Sequence, residues 1–177
     1  MSRTLLIAAA AAVSLALSAC AADEAAMSAA ASGDMTPTQR DAYVGMAAAS
    51  DMFEIQSSQL ARSRAQRPEV RDFAQMMIDD HSRTTAQLTA AAQAAGMAPP
   101  VPALLPMQAT MMNQLQAASS ADFDRVYLAQ QVQAHQMALA LHSNYGTNGD
   151  TAALRAVANA AVPVVQMHLD RVRALAA

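Results

Sequence analysis

Proline and glycine divide this chain into four long stretches that contain almost no helix breaker. The chain has only 5 glycines and 7 prolines, and most of them stand between the stretches rather than inside them. Alanine and methionine, which favour helices, are abundant, whereas aromatic residues, which favour strands, make up 3% of the chain. The sequence therefore predicts an all-α protein with no sheet.

Capping residues mark where each predicted helix begins and ends. The predicted helices cover residues 37–64, 68–95, about 106–118, about 120–145, and 151 onward. The N-terminal caps are Thr36, with Pro37 at the first helical position, then Ser119 or Ser120, and finally Asp150. We expect Gly96 and Gly146 to end helices and Pro163 to kink the last one.

Three histidines stand in the apolar faces of the predicted helices. Amphipathic stripes on the four long helices predict a four-helix bundle, with the short helix crossing between the second and third long helices. His81, His135 and His168 project from the middles of these stripes, each from a different long helix. A single core histidine is usually neutral and hydrogen-bonded to a local partner, whereas three of them also favour a shared metal or polar site. Both interpretations stay open.

Helical geometry gives the relative heights of these histidines in the bundle. Glu54 and His81 are nearly equidistant from the turn before the second helix, so Glu54 joins the candidate ligands. His168 is farther than His135 from the turn between the last two helices, which predicts a mismatch of about 9 Å at about 1.5 Å per residue. The expected kink in the last helix would absorb part of it. The candidate metal ligands are Glu54, His81, His135 and His168.

The residues near the histidines indicate which metal suits them. A di-iron centre needs paired glutamates and Glu-x-x-His spacing, but the residues three positions before the histidines are Ile78, Val132 and Val165. A single transition metal ion, zinc or copper, suits imidazole ligands better. Three nearby methionines would tilt the preference toward copper(I), although core methionines usually only fill space; they are Met77, Met137 and Met167.

Charge and motifs exclude several classes of function. The chain has no lysine and a formal net charge of -3 at pH 7, so it lacks the basic face of a nucleic-acid-binding protein. Glycine-rich phosphate loops and the Gly-x-Ser-x-Gly elbow are missing, and no nucleophile has a positioned base, so no catalytic residue is assigned. Asp80 points away from its neighbour His81, and we expect Asp79 to pair with Arg83 on the surface.

The N-terminal residues predict export and a lipid anchor. Residues 1–19 contain one cation, an apolar run too short to span a bilayer, and small residues at the end, a pattern typical of a signal peptide. The segment from Leu17 to Cys20 resembles the bacterial lipobox, so Cys20 is the predicted lipidation site. Residues 20–35 are expected to form a flexible tether and residues 36–177 the helical domain. The expected location is the outer membrane, facing the periplasm, or the periplasm or exterior without lipidation.

Three segments of the chain together resemble one protein family; they are "RPEVRDFAQMMIDDHSRTTAQL", "FDRVYLAQQVQAHQMAL" and "LRAVANAAVPVVQMHLDRVRAL". They are similar to the bacterial domain-of-unknown-function 4142 (DUF4142) family, whose members are grouped with ferritin-like bundles and described as outer membrane proteins. The resemblance covers about residues 41–175 and implies a ferritin-like four-helix bundle, but no reaction. The positions that match the family pattern are Glu54, Met77, Asp80, His81, Tyr127, His135, Pro163 and His168. Those that depart from it are Arg67, Arg83 and His142.

These observations lead to three functional interpretations, all with the membrane as a partner through the lipid on Cys20. In the first, the protein is a cell-envelope lipoprotein with a histidine-rich metal centre inside its bundle. In the second, it is a structural or partner-binding bundle whose core histidines are hydrogen-bonded and hold no metal. An envelope protein is the expected partner there, bound at a methionine-rich surface around Met111 and Met112. In the third, it is a small redox-active metalloenzyme.

Overall fold

The computed structural model describes residues 36–177, and every regular element in that part of the chain is a helix. Five helices follow one another: α1 (Arg40–Arg64), α2 (Pro68–Ala94), α3 (Pro106–Ala117), α4 (Phe123–Asn148) and α5 (Ala152–Ala176). The predicted all-α class is therefore confirmed. The predicted signal peptide, Cys20 and the tether fall outside the described residues.

Two helical hairpins make the bundle: α1 packs along α2, and α4 packs along α5. Contacts of α2 with α5 and of α1 with α4 join the hairpins, while the short α3 packs against α1 and α4. This arrangement confirms the four-helix bundle with an additional helix between the second and third long helices. Within residues 36–177, none of the helices combines the length and the apolar character that a membrane crossing needs.

The core contains two large apolar clusters with a polar layer between them. The Tyr43 cluster, near the α4–α5 turn, includes the buried residues Tyr43, Val44, Met46, Leu88, Leu141, Tyr145 and Leu154. The Phe73 cluster, near the α1–α2 turn, includes the buried residues Val70, Phe73, Met77, Leu115, Phe123, Tyr127 and Leu169. The polar layer consists of Asp51, Glu54, His81, Gln131, His135 and His168, all buried. Along each long helix, the residues of this layer stand between members of the two clusters.

Two of the three methionines of α3 face the bundle, whereas Met107 is exposed. Met111 and Met112 are buried and pack in a small apolar cluster with Phe53 and Ala134. The expected methionine-rich surface patch is therefore wrong. The reason is that α3 turns its apolar side toward α1 and α4, as an amphipathic helix does when it covers a core.

The first helix begins later than the sequence predicts and takes its cap from elsewhere. α1 begins at Arg40, not at Pro37, because the preceding segment is not helical: the Thr38 carbonyl accepts a hydrogen bond from Asp150 N at 3.0 Å. Asp150 is not the cap of α5, whose N-cap residue is Thr151. Its Oδ2 instead accepts a hydrogen bond from Arg40 N at 3.2 Å. The Asp150 carboxylate thus stabilises the start of a helix in the other hairpin.

A second carboxylate does the same at the opposite end of the bundle. Asp124, in the first turn of α4, accepts hydrogen bonds from the main-chain N–H groups of Gln66 and Arg67, both at 2.9 Å, just before α2. α4 itself follows Asp122 rather than either predicted serine, and Ser119 Oγ donates to the Asp122 carboxylate at 2.7 Å. The two hairpins are therefore tied together at both ends.

Glycine and proline have mixed roles in the helices. Gly96 has the predicted left-handed conformation, with φ of 74°, just after α2. Gly146 is not the predicted stop, because α4 continues through it to Asn148. A Cβ at position 146 would lie 2.2 Å from Asn159 Oδ1, so this glycine permits the close approach of α4 and α5. α5 continues as one helix through Pro163, and the kink stays a prediction.

Candidate metal centre

Three histidine rings meet in the polar layer at the middle of the bundle. The ring centroids of His81 and His135 are 5.8 Å apart, those of His81 and His168 are 5.6 Å apart, and those of His135 and His168 are 5.4 Å apart. All three side chains are buried. The expected mismatch of about 9 Å in height between two of them is wrong. Because α4 runs to Asn148 and α5 begins only at Ala152, the turn is farther from His135 and nearer to His168 than predicted.

Two of the rings are held by carboxylates. His81 Nδ1 lies 2.8 Å from Asp51 Oδ1, and His168 Nε2 lies 2.9 Å from Asp80 Oδ2. Because an ionised carboxylate only accepts hydrogen bonds, the ring nitrogen donates in each pair. Each bond therefore fixes which nitrogen of the ring carries a proton and which way the ring faces.

The third ring is held by its own helix. His135 Nδ1 lies 2.8 Å from the main-chain carbonyl oxygen of Gln131, one turn earlier in α4, and donates a hydrogen bond to it. The ring also stands near Phe73, with the two centroids 6.5 Å apart. A carbonyl partner orients a histidine as a carboxylate does, but adds no full negative charge. The proton is thus fixed on Nδ1, and Nε2 keeps its lone pair.

The second nitrogen of each ring is left unpaired. His81 Nε2, His135 Nε2 and His168 Nδ1 are buried and have no hydrogen-bond partner in residues 36–177. One nitrogen from each ring lies within 4.8 Å of those of the other two. Atoms so spaced have a common point within about 2.8 Å of each, and a metal–imidazole bond is about 2.0–2.1 Å long. Inward shifts of less than about 1 Å would let the rings share one ion.

Glu54 lies beside the three histidines rather than among them. It is 1% exposed, and its Oε1 is 3.6 Å from His135 Nδ1, the nitrogen that already donates to Gln131. The group of mutually close ligand atoms consists of the three histidines alone. Burial raises the pKa of Glu54 to about 7, although His81 and a hydrogen bond with Gln131 act in the opposite direction. Glu54 is therefore a neighbour of the centre that is readily protonated near neutral pH.

Burial also sets the protonation of the rings. It lowers the pKa of His135 to about 3, with a further lowering by the charge of His81. It lowers the pKa of His168 as well, in spite of the hydrogen bond to Asp80. These two rings are therefore neutral, the form in which imidazole binds metals. His81 differs, because the hydrogen bond to Asp51 and nearby acidic groups outweigh burial and raise its pKa.

Asp51 is a residue of the centre that sequence analysis missed. Its carboxylate is buried, and besides holding His81 it accepts hydrogen bonds from Thr84 Oγ1 at 2.9 Å and Thr85 Oγ1 at 3.0 Å. These bonds replace the water that an isolated carboxylate would need. Asp51 stands one helical turn before Glu54 on the polar side of α1, and this spacing is the signal that would have found it.

Asp80, one of the positions that match the family pattern, reaches from α2 to the histidine of α5. Arg83 donates to Asp80 Oδ1 at 2.8 Å, so the expected ion pair of Arg83 with Asp79 is wrong. Asp79 instead accepts a hydrogen bond from Gln75 Nε2 at 2.9 Å. Asp80 and Arg83, three residues apart, share the side of α2 that meets His168 of α5, so Arg83 pairs with the carboxylate that holds this ring. Partial burial acts to raise the pKa of Asp80. The hydrogen bonds with His168 and Arg83 outweigh burial and hold the pKa below its ordinary value.

The methionines near the histidines in sequence have different surroundings. Met77 is buried in the Phe73 cluster, where it fills core space. Met137 is half-buried, and Met167 is 48% exposed. The exposed Met167 side chain has no role in a buried centre. The chemistry on offer is thus three imidazole nitrogens around one point, a set that suits zinc, copper, iron or nickel.

Comparison with known proteins connects the chain to one family and to one fold. The model of the family described as "Domain of unknown function (DUF4142)" matches residues 24–175. A search among curated proteins finds no match. Solved structures give the fold comparison.

Three of the similar solved structures are forms of one protein, CopM. CopM in the Cu(II)-bound form is 19% identical, with a TM-score of 0.67, over 78% of this chain and 95% of that chain. CopM in the Cu(I)-bound form is 20% identical, with a TM-score of 0.64, over 75% of this chain and 91% of that one. CopM in the Ag-bound form is 20% identical, with a TM-score of 0.64, over 77% and 94%. At these identities, the similarity shows a shared helical-bundle fold.

Proposed function

We propose that this chain, which belongs to the DUF4142 family, binds a single copper ion through His81, His135 and His168. One observation carries the proposal: in each ring, one nitrogen is held by a protein partner and the other is buried without one. Metal-binding histidines are generally oriented in this way, by a carboxylate or a carbonyl on the second nitrogen. The ring orientations needed for binding are therefore in place before an ion arrives.

The same hydrogen bonds also fit an alternative in which the polar layer is purely structural and binds no metal. In that interpretation, Asp51, Asp80 and the Gln131 carbonyl would hold core histidines that connect the helices. A structural network gains from pairing every buried polar atom, because an unpaired one costs about 1–3 kcal/mol. Three unpaired nitrogens, one on each of three rings that lie close together, therefore favour a bound cation over a structural role alone.

Copper is the ion that we select, with zinc as its competitor. Imidazole suits both, and nitrogen sites bind divalent copper more tightly than divalent zinc. The structural neighbours of the same fold are copper-bound and silver-bound forms of CopM, which supports the choice. A di-iron centre has less support, because Asp51 and Asp80 are engaged with histidines and only the Glu54 carboxyl of the polar layer is left to bridge two ions.

The protein residues have distinct duties in such a centre. The three histidines would supply the nitrogen ligands, while Asp51 and Asp80 keep two of the rings oriented and balance the positive charge of the ion. Bound copper would supply Lewis acidity and one-electron redox chemistry. The surrounding apolar clusters exclude bulk water and so strengthen these electrostatic contacts. We propose copper binding and assign no reaction.

We place this copper centre in the cell envelope, where a lipid-anchored domain would sequester copper on the periplasmic side of the outer membrane. The signal-peptide pattern of residues 1–19 and the resemblance of the segment ending at Cys20 to a lipobox support this location. Replacement Cys20→Ser is expected to move the protein from the membrane fraction to the soluble envelope fraction on cell fractionation. An unchanged distribution would contradict the anchor, but not the copper site.

Elemental analysis of the purified chain tests the copper proposal. After loading with copper(II) and gel filtration, we expect one copper per wild-type chain. In a variant with His81, His135 and His168 all changed to alanine, we expect none above background. The matched control is Asp79→Asn, which changes an exposed carboxylate next to the centre and should keep full copper content.

Circular dichroism shows whether the triple variant keeps its helices. If it does not fold, the single variant His135→Leu, which keeps the volume of the core, takes its place. Equal copper in the wild type and a folded variant contradicts the proposal. So does a wild-type chain without copper.

A further inference from the structure

A small cavity lies next to the three histidines and reaches the surface between α2 and α5. Its volume is about 20 Å³, enough for one water molecule. Two of the three histidines, His81 and His168, are part of its wall. The exposed Gln87 on α2 and the half-buried Val157 on α5 line it as well, so one side of the cavity meets solvent.

The fourth histidine of the chain also lines this cavity. His142 stands two helical turns after His135 on α4, which places it about 10 Å farther along the bundle. Its Nδ1 is 3.1 Å from the hydroxyl of Tyr43, which lines the cavity too. Most of the remaining wall is apolar; it includes Ala47, Leu88, Ala161, Val164 and Val165.

A passage of this composition poses a physical problem for a cation. An ion that enters a buried site must lose bound water, and the apolar part of this wall offers no ligand in exchange. The Asp51 carboxylate also lines the cavity, but it already accepts hydrogen bonds from His81 and Thr84. His142 is the one imidazole of the cavity wall outside the three-histidine centre. When its Nδ1 donates to the Tyr43 oxygen, its Nε2 carries a lone pair that replaces a lost water.

We propose that this cavity is the access route for copper and that His142 binds the ion in passing, before it reaches His81, His135 and His168. The inference rests on the proposed copper site. Because the ion leaves His142 at the end of the route, His142 affects the rates of loading and release and leaves the final affinity unchanged.

The replacement His142→Gln tests this role in the full chain. Copper(II), buffered with glycine, is mixed with the protein in a stopped-flow instrument, and loading is followed by the quenching of tyrosine fluorescence. The chain has three tyrosines and no tryptophan, so this signal has no tryptophan background. Release is measured by transfer of copper to EDTA. We expect both rate constants to fall about tenfold, because loss of the His142 ligand raises the same barrier for entry and for exit. The affinity should stay within about twofold of the wild type.

A second pair of variants tests the route without touching His142. Ala161 is buried in the cavity wall, and Ala160 beside it is exposed on the same helix. Ala161→Leu should narrow the cavity and slow both loading and release, whereas Ala160→Leu should leave both rates unchanged. Thermal unfolding of the copper-free proteins shows that the variants are folded.

The outcomes separate this inference from the proposal beneath it. Unchanged loading in His142→Gln overturns the role of His142, and unchanged loading in Ala161→Leu overturns the route. A fall in equilibrium affinity in His142→Gln, with loading unaffected, overturns the transient role and makes His142 a permanent ligand. A wild-type chain that binds no copper overturns the proposed function itself.

Discussion

The polar layer and the two apolar clusters of this bundle follow opposite rules. In the Tyr43 and Phe73 clusters, aromatic and aliphatic side chains are almost wholly buried, and a fully buried one contributes about 1.5–3 kcal/mol. Six buried side-chain nitrogen or oxygen atoms in residues 36–177 have no hydrogen-bond partner, and five of them belong to the polar layer. Each such atom costs about 1–3 kcal/mol. The polar layer thus lowers the free energy of unfolding, whereas the two apolar clusters on either side of it raise it.

This difference indicates that stability and ligand binding depend on separate parts of the bundle. The clusters hold the four helices together, and the layer can therefore keep ring nitrogens free for a ligand. Changes in the clusters should alter the free energy of unfolding and leave copper affinity alone. Changes in the layer should alter copper affinity and, in some cases, make the copper-free chain more stable.

Copper loading is expected to give the largest effect, because it supplies the partners that the layer lacks. At about a thousandfold excess over the dissociation constant, a ligand that binds only the folded state stabilises it by about 4 kcal/mol. For a chain of this length, that corresponds to a rise in Tm of roughly 10 °C. Scanning calorimetry with and without copper measures it. The triple-alanine variant should show no rise, and an equal rise in both proteins would assign the binding to another place.

Truncation in an apolar cluster is expected to come next. Leu154 is fully buried in the Tyr43 cluster, and Leu154→Ala should lower the free energy of unfolding by about 3 kcal/mol, since it leaves a cavity. Urea unfolding measures the loss, and copper titration should show an unchanged dissociation constant. Met167→Ala, at a half-exposed position of the same helix, is the control and should change stability by less than about 0.5 kcal/mol. A weaker copper affinity in Leu154→Ala would break the separation between cluster and layer.

Loss of a carboxylate that orients a ring is expected to have an intermediate effect. Asp80→Asn should weaken copper binding by about 10–100-fold, because a neutral amide holds the His168 ring less firmly. The adjacent Asp79→Asn is a close control, because Asp79 bonds to Gln75 on the surface. Competition with a chelator of known affinity measures both variants. Equal affinities in the two would show that ring orientation by Asp80 is unimportant.

The smallest expected change in stability is also the most diagnostic, because its sign is opposite to that of an ordinary core mutation. His135→Leu replaces a ring with a buried unpaired nitrogen by an apolar side chain of similar size. The Nδ1 bond to the Gln131 carbonyl is lost as well, but that carbonyl also accepts within the helical backbone. We expect the copper-free protein to gain about 1 kcal/mol in stability and to lose copper binding. Urea unfolding in the presence of EDTA measures the gain. A clear loss of stability would mean that His135 stabilises the fold, as the structural alternative requires.

Local sequence signals predicted those parts of the fold that depend on local physics. Gly96 ends α2 because a left-handed residue is needed at one position, and that requirement is visible in the sequence. The start of α1 and the role of Asp150 were wrong, because the cap comes from a residue far away in the chain. Gly146 was misread for the same reason: its small size serves contact with Asn159 on another helix.

The candidate site shows the same limit. Helical periodicity was enough to place the three histidines on the inner faces of their helices, and the structure brings them together. Periodicity could not show that Asp80 reaches α5 or that Asp51 holds His81, because both contacts join different helices. It also gave wrong relative heights, since these depend on where the α4–α5 turn lies, and α4 was predicted to end three residues too early.

The hydrogen bonds of Asp124 and Asp150 to the opposite hairpin fix the lengthwise alignment of the two hairpins at the centre of the bundle. His81 belongs to one hairpin, while His135 and His168 belong to the other, so their convergence depends on how the hairpins are aligned lengthwise. A slip of a single residue would displace a ring by about 1.5 Å, more than the adjustment of less than about 1 Å that ion binding asks for. Two carboxylates at the ends of the bundle thus fix how precisely the three histidine rings are aligned at its middle.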